Sequence, residues 1–196
     1  HPPDLHSSPP PLSSDLPDTQ LNAINYINQE FSRGYPMSRL LVGDVGSGKT
    51  AVAATTIYAV SKSRPIKDNG LPAQAGNLQT AYMVPTEILA KQHYENFITY
   101  FQHLPIKIGL ITGSGCQIFP SKSNPLNPTN ISRTQLLKWV ANGEVPILIG
   151  THALIQKSVK FKHLAYAVID EQHRFGTMQR QKLTDKDSVV PHLLSM

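Results

Sequence analysis

The stretch RLLVGDVGSGKT, residues 39–50, decides the fold of this chain. It starts as a short, mostly apolar run, and its last eight residues match the pattern G-x-x-x-x-G-K-[ST] in full, from Gly43 to Thr50. Glycines in this pattern allow backbone conformations that a Cβ would forbid, so that successive N–H groups surround a phosphate at the start of a helix. The stretch therefore predicts a strand, a phosphate-binding loop and a helix, in that order.

The side chains of this loop indicate its ligand. The mobile ammonium group of Lys49 suits the β- and γ-phosphates of a nucleotide, and the Thr50 hydroxyl is a hard oxygen ligand of the kind that Mg²⁺ binds. A nucleotide with Mg²⁺ is therefore the predicted ligand. The residues predicted to bind the nucleotide are Gly43, Asp44, Val45, Gly46, Ser47, Gly48, Lys49 and Thr50.

A pair of acidic residues provides the second part of the predicted site. Asp170 and Glu171 come directly after an apolar run at residues 165–169, and ligands of open α/β sheets lie at the carboxyl ends of strands. We predict that Asp170 holds Mg²⁺ directly or through water and that Glu171 polarises the attacking water. The alternative is that two exposed acids begin a helix, where the helix dipole favours them.

Short apolar runs alternate with segments of helical period along the chain. The runs occupy residues 39–42, 80–84, 106–111, 147–149 and 165–169. Most lack apolar–polar alternation, as expected for parallel strands covered on both faces, and the helical segments suit right-handed crossovers. The predicted fold class is α/β, a P-loop NTPase with a mostly parallel central sheet flanked by helices.

Three helices and two loops can be delimited. One helix begins at about Asp18, a second runs from Glu87 to about Phe101 with Thr86 as its N-cap, and a third runs from about Ser132 to Ala141. The long polar segments 61–79 and 114–130 predict loops that are disordered or decorative. Residues 1–17 are rich in Pro and Ser and predict an extended linker, which leaves residues 18–196 as one domain.

Composition narrows the class of protein. The chain has 196 residues and a net charge of +5, which is compatible with a nucleic-acid partner without requiring one. Its single cysteine, Cys116, excludes an intrachain disulfide. No apolar run reaches the roughly 18 residues that a membrane span needs. We therefore expect no membrane association and a reducing, cytoplasmic location.

Several blocks together resemble the RecG branch of superfamily 2 DNA helicases, from about Leu12 to Met196. The matching blocks are residues 39–50, 85–93, 111–113 and 150–154, followed by residues 170–176, which read DEQHRFG, with Gln179 and Arg180 after them. The resemblance implies a RecA-like fold, the first motor domain of an ATP-dependent DNA helicase. The transcription-repair coupling factor Mfd shares this layout, but Ser47, Glu87 and Gln172 favour RecG.

The resemblance also implies a role for individual residues. By position, Lys49 and Glu171 are implied to be catalytic, Thr50 and Asp170 to bind Mg²⁺, and Gln20 to lie on the adenine side of ATP. Gln172 and His173 are implied to couple the nucleotide state to DNA contacts. The residues implied to line the DNA backbone track are Pro85, Thr86, Thr112, Gly113, Gly150, Thr151 and His152.

The function implied by the resemblance is ATP hydrolysis that remodels branched DNA, such as stalled forks and Holliday junctions, in recombination and repair. ATP and Mg²⁺ are the implied cofactors. The implied partners are DNA, bound without sequence preference, and two further parts of the same polypeptide, a second RecA-like domain and a wedge domain. The implied location is the bacterial nucleoid.

Other functions remain open at this point. The chain could be an Mfd-like translocase domain, a fragment that binds nucleotide without turnover, or a metabolic or signalling P-loop enzyme. A GTPase should carry an N/T-K-x-D block, and residues 184–187, which read TDKD, have the wrong order. Intact Lys49, Thr50, Asp170 and Glu171 argue against a decayed, non-catalytic module.

Overall fold

A computed structural model of the protein describes residues 16–66, 76–187 and 189–196. In chain order its elements are α1 (Asp18–Phe31), β1 (Ser38–Leu40), α2 (Lys49–Lys62), β2 (Gln79–Met83), α3 (Glu87–Phe101), β3 (Ile108–Ile111), β4 (Cys116–Phe119), β5 (Thr129–Ile131), α4 (Arg133–Ala141), β6 (Ile147–Gly150), β7 (Leu164–Ile169), α5 (Thr177–Thr184) and β8 (His192–Ser195). Two 3-10 turns, His152–Ile155 and Gln172–Arg174, follow β6 and β7.

The strands of the described residues form one sheet in the order β1-β8-β7-β2-β6-β3-β4-β5. Neighbours from β1 to β3 are parallel, and β4 and β5 continue the sheet as an antiparallel meander. The predicted α/β class with a mostly parallel sheet is therefore confirmed. In register, Gly150 lies beside both Met83 and Ile111, the last residues of β2 and β3. The segments that follow these three strands thus emerge side by side at one edge.

Both faces of the sheet are covered, which explains why its inner strands lack polar alternation. On one face, Tyr82, Ile149 and Val168 pack with residues of α1, α2 and α3 in one buried cluster. On the other face, Met83 and Leu148 pack with residues of α4 and α5 in a second cluster. No helix of the described residues is long and apolar enough to cross a membrane.

The three predicted helices are confirmed, and one of them begins at its predicted cap residue, Thr86. The Thr86 side chain accepts a hydrogen bond from the backbone N–H of Leu89 over 3.3 Å at the start of α3. At the start of α4, the Ser132 side chain accepts one from the backbone N–H of Gln135 over 3.2 Å. Each cap satisfies a donor that the helix itself cannot pair.

We expect Ser132→Ala to lower the free energy of unfolding by about 1 kcal/mol, because the alanine leaves the N–H of Gln135 without its acceptor. Urea denaturation of the two proteins measures this difference. Ser132→Asp should retain most of the stability, since an aspartate oxygen can accept the same bond and interacts favourably with the helix dipole. Equal losses in both variants would show that the cap does not stabilise α4.

Three parts of the sheet differ from the sequence-based prediction. The strand expected at residues 39–42 is Ser38–Leu40, and it is exposed because it pairs with β8 alone. The loop expected at residues 114–130 contains β4, whose Ile118 is fully buried, and the start of β5. β8 was not predicted, because four residues give no recognisable period.

The two remaining predicted segments are only partly described. Of the predicted loop at 61–79, residues 67–75 lie outside the described residues, and its last residue, Gln79, begins β2. Of the predicted linker at 1–17, residues 1–15 lie outside them as well. Leu16 already packs against the first buried cluster, so the folded part includes at least the last two residues of that segment.

Candidate functional site

The phosphate-binding loop is shaped by glycine and fixed by a glutamine. Gly46 and Gly48 both have φ of 81°, a left-handed conformation that side chains disfavour. A Cβ on Gly48 would lie 2.1 Å from Nε2 of Gln20, so a larger residue would displace the Gln20 side chain as well as strain the backbone. That amide donates to the carbonyl of Ser47 over 2.9 Å. Gln20 therefore ties α1 to the loop.

The start of α2 places Lys49 over this loop. Its ammonium group donates to the carbonyl of Gly43 and, over 2.9 Å, to that of Asp44. The residues from Asp44 to Ser47 are exposed, whereas Gly48, Lys49 and Thr50 are partly buried where α2 begins. The loop thus presents its backbone to solvent with one mobile cation at its centre.

The carboxylate of Asp170, at the carboxyl end of β7, is held by three groups. Its Oδ2 lies 2.9 Å from Nε2 of His93 and accepts from the Tyr82 hydroxyl over 3.4 Å. Its Oδ1 accepts the backbone N–H of Glu171 over 2.9 Å. Burial alone would raise the pKa of Asp170, but the contacts with His93, the Glu171 N–H and Tyr82 outweigh it and lower the pKa below its usual value. The aspartate is therefore kept ionised.

The Tyr82 hydroxyl joins the two halves of the site. Burial, followed by the charge and hydrogen bond of Asp170, raises the pKa of Tyr82 well above its usual value, and a hydrogen bond with the Thr50 side chain opposes these effects. Thr50 and Asp170 therefore both influence the same hydroxyl group, although they lie on different elements, and Asp170 accepts a hydrogen bond from it over 3.4 Å. This brings the two predicted Mg²⁺ ligands to the same part of the site.

Tyr82 and His93 were not predicted as site residues. Tyr82 lies inside an apolar strand, and His93 lies in the sequence block that follows Pro85, where nothing distinguishes it from a helix residue. Their rings pack with centroids 5.1 Å apart, and both are buried. The burial of these polar side chains, which indicates that they have partners, is known only from the structure.

We expect His93→Ala to lower the free energy of unfolding by about 1–3 kcal/mol at neutral pH, because Asp170 loses a charge-assisted hydrogen bond in a largely buried position. The matched control is His103→Ala, at an exposed histidine after the end of the same helix, which should change stability by no more than about 0.5 kcal/mol. Urea denaturation compares the two variants. Equal effects would mean that His93 does not stabilise the carboxylate.

Glu171 has an unusual backbone conformation. Its φ of 51° is the one positive value among the described non-glycine residues. Hydrogen bonds on both sides of it fix this turn, since Asp170 accepts its N–H and the N–H of Gln172 donates to the carbonyl of Met196 over 3.0 Å. Its carboxylate pairs with Arg174 over 3.0 Å. His173 is exposed.

The residues predicted to line DNA lie where β2, β3 and β6 end, at the same edge as the phosphate-binding loop. The three segments are joined by their backbones, for example by the N–H of Val84, which donates to the carbonyl of Gly150 over 3.0 Å. Of these residues, Thr86, Gly113 and His152 are exposed, Pro85 is partly buried, and Thr112, Gly150 and Thr151 are buried. The structure thus brings the set together, but three of its members have little solvent-exposed surface with which to contact DNA.

Two of the three buried members have structural roles. The Thr112 hydroxyl and N–H both bond to the carbonyl of Gly115 within a turn. A Cβ on Gly150 would lie 2.4 Å from the carbonyl oxygen of Ile111, which explains the glycine. The Thr151 hydroxyl oxygen is buried and has no hydrogen-bond partner among the described residues.

A link between two of these segments was not predicted. The Glu87 carboxylate accepts the backbone N–H of Ser114 over 3.1 Å, which connects the start of α3 to the turn after β3. Hydrogen bonds from Ser114 lower the pKa of Glu87. The turn that carries Gly113 is therefore fixed relative to Thr86.

Comparison with known proteins agrees with this arrangement. Residues 18–191 match the DEAD/DEAH box helicase family. The chain belongs to this family. Two curated relatives illustrate the similarity. The ATP-dependent DNA helicase RecG of Aquifex aeolicus is 44% identical over 94% of this chain, and RecG of Synechocystis is 40% identical over 92% of it. The predicted resemblance to RecG is confirmed. The chain spans about a fifth of the length of these relatives, 20% and 18%.

Solved structures extend the comparison to the helicase fold. RecG bound to a three-way DNA junction is 35% identical with a TM-score of 0.66, over 92% of this chain and 21% of that one. A DEAD box protein from Methanococcus jannaschii is 18% identical with a TM-score of 0.57, over 93% of this chain and 48% of that one. The second similarity shows the shared fold alone.

The residues of this helicase chain fit a nucleotide with Mg²⁺. The loop offers backbone N–H groups and the cation of Lys49, and Thr50 and Asp170 offer two oxygen ligands, a number typical of Mg²⁺ sites completed by phosphates and water. The Gln20 Oε1 atom is buried without a hydrogen-bond partner among the described residues. A ligand with an N–H donor, such as an adenine amino group, would satisfy it.

Proposed function

We propose that this chain is the first RecA-like motor domain of a DNA helicase similar to RecG, which uses ATP hydrolysis to remodel branched DNA. The observation that carries this proposal is the Tyr82–Asp170 hydrogen bond, which lies at the edge where the phosphate-binding loop and the predicted DNA-lining segments emerge. A nucleotide site and a DNA site would then share one rigid set of strand ends. The name of the structural relative, RecG bound to a three-way DNA junction, supports branched DNA as the substrate.

Each residue of the nucleotide site has one task in this reaction. Lys49 exchanges its bonds to two loop carbonyls for bonds to phosphate oxygens. Thr50 and Asp170 would hold Mg²⁺, which would supply positive charge to neutralise the phosphates. Glu171 accepts a proton from the attacking water. Gln20 recognises the base while it fixes the loop.

Hydrogen bonds link the nucleotide site to the DNA side. The helix α3 carries Thr86 at its start and His93, the partner of Asp170, two turns later. Gln172 is bonded through its backbone to Met196, directly after β8. A change at Asp170 would therefore be transmitted to α3 and to the sheet end. Small and hydroxyl residues at the strand ends suit contacts to phosphates without reading sequence.

We propose a second RecA-like domain that completes the ATP site and a wedge domain that engages the DNA branch, as the resemblance implies. We also propose a cytoplasmic location at the bacterial nucleoid, where branched chromosomal DNA forms.

ATP turnover by the full-length protein tests the proposal. It is measured without DNA, with single strands, with linear duplex and with a model fork, and Lys49→Ala serves as the blank. We expect turnover to be stimulated most by the fork. Turnover that is indifferent to every DNA would contradict the proposal and favour a domain that binds nucleotide without coupling to DNA.

A further inference from the structure

A basic groove of about 790 Å³ runs along one face of the domain, outside the nucleotide site. One wall is the 3-10 turn His152–Ile155 together with residues 156–161, and the other is α5 with the two residues after it. The groove begins at His152, at the carboxyl edge of the sheet. Directly after the lining residue Lys186, Asp187 accepts the backbone N–H of Leu164, the first residue of β7, over 3.2 Å.

The charges that line this groove are nearly all positive. Lys157, Lys160, Lys182 and Lys186 face a single carboxylate, that of Asp185. This is an excess of three positive charges, out of five for the whole chain. The first three lysines are exposed. The net charge of the chain is therefore concentrated here, where a polyanion would be attracted.

The fourth lysine gives the groove a fixed shape. The Lys186 ammonium group donates to the carbonyl of Gln156 and, over 3.1 Å, to that of Val159. Burial lowers the pKa of Lys186 to about 8, so that it is still mostly charged at neutral pH. These bonds hold the turn that carries Lys157 against the end of α5. Val159 and Phe161 are buried beneath it.

We propose that this groove binds the phosphate backbone of the DNA after it leaves the strand ends. The inference rests on the proposed function and extends the DNA site from the carboxyl edge along the flank of the domain. An acidic protein could also match the charge, but the lining of the groove includes His152, which is itself one of the residues implied to line the DNA track. Continuity with that track favours DNA as the ligand.

The test is the salt dependence of DNA binding by the full-length protein. The affinity for a labelled fork is measured by fluorescence anisotropy between about 50 and 200 mM salt. For the combined variant Lys157→Gln, Lys160→Gln and Lys182→Gln, we expect the slope of log affinity against log salt to become shallower by about 1 for each lysine. Lys186 is left intact because it fixes the turn.

A matched control separates the groove from a general effect of charge. The variant Lys62→Gln, Lys122→Gln and Lys138→Gln removes the same charge from exposed lysines elsewhere on the domain and should keep the wild-type slope. Equal slopes in the two triple variants would overturn the inference. Thermal unfolding of both variants checks that they are folded, and single Lys→Gln variants replace any triple variant that is not.

Different experimental results would contradict the proposal for the groove and the proposed function. If DNA stimulates ATP turnover in the wild-type protein but the groove variant keeps the wild-type salt slope, only the proposal for the groove is overturned. Turnover in the wild-type protein that no DNA stimulates would overturn the proposed function.

Discussion

Replacing Lys49 with alanine in the full-length protein weakens the binding of Mg·ATP by roughly 100-fold, or about 3 kcal/mol, which is the size expected for losing charged hydrogen bonds to phosphate. The prediction follows from the position of Lys49, whose ammonium group lies over the loop and bonds to the carbonyls of Gly43 and Asp44. These carbonyls are near solvent, so the alanine leaves them accessible to water. The loss should therefore appear in nucleotide affinity and leave the fold intact.

An equilibrium titration with a fluorescent ATP analogue measures this effect. Lys62→Ala is the matched control, because it removes the same charge at the opposite end of the same helix, α2. It should bind nucleotide as the wild-type protein does. Wild-type affinity in Lys49→Ala would mean that the G-x-x-x-x-G-K-[ST] segment does not bind the phosphates.

The parts of the site that sequence could predict are those specified by local backbone chemistry. Gly46 and Gly48 have positive φ angles that the motif requires, and Thr86 caps its helix as predicted. Strands covered on both faces appear as apolar runs wherever they occur. In each case, a few residues that are neighbours in the sequence determine the local structure.

The parts that sequence could not predict depend on contacts between distant segments. Gln79 ends a segment that looks like a polar loop, yet it is fully buried. Its amide donates to the carbonyls of Val140 and Val145 and accepts the backbone N–H groups of Lys162 and His163. Nothing near Gln79 in the sequence indicates these partners, because the folded sheet creates them.

The same reasoning applies to the strands that were not predicted and to His93. β8 lies between β1 and β7, and its four residues become a strand only because both neighbours are already in place. His93 contacts Asp170 only because α3 packs back across the sheet. The predicted ATP and DNA residues could be named from motifs, but the link between the two sites is a tertiary feature.

Replacing Glu171 with glutamine is expected to lower the rate of ATP turnover by about 10²- to 10⁴-fold, the range that a general base contributes. The glutamine has nearly the same shape and can still accept a hydrogen bond from Arg174, but it cannot take a proton from water. The left-handed backbone at this position is fixed by its neighbours, so the side chain should keep its direction. Nucleotide affinity should therefore change by less than about twofold. In free energy this is a small fraction of what one charged hydrogen bond contributes.

Two measurements on the full-length protein separate these expectations: the steady-state turnover with fork DNA and the affinity for the ATP analogue. Glu95→Gln, at an exposed position of α3, is the control for a lost carboxylate and should retain wild-type turnover. Retained turnover in Glu171→Gln would move the water-activating role to another residue. A loss of affinity as large as the loss of turnover would instead indicate that Glu171 shapes the binding site, because an interaction made only in the transition state lowers the rate and leaves ground-state binding unchanged.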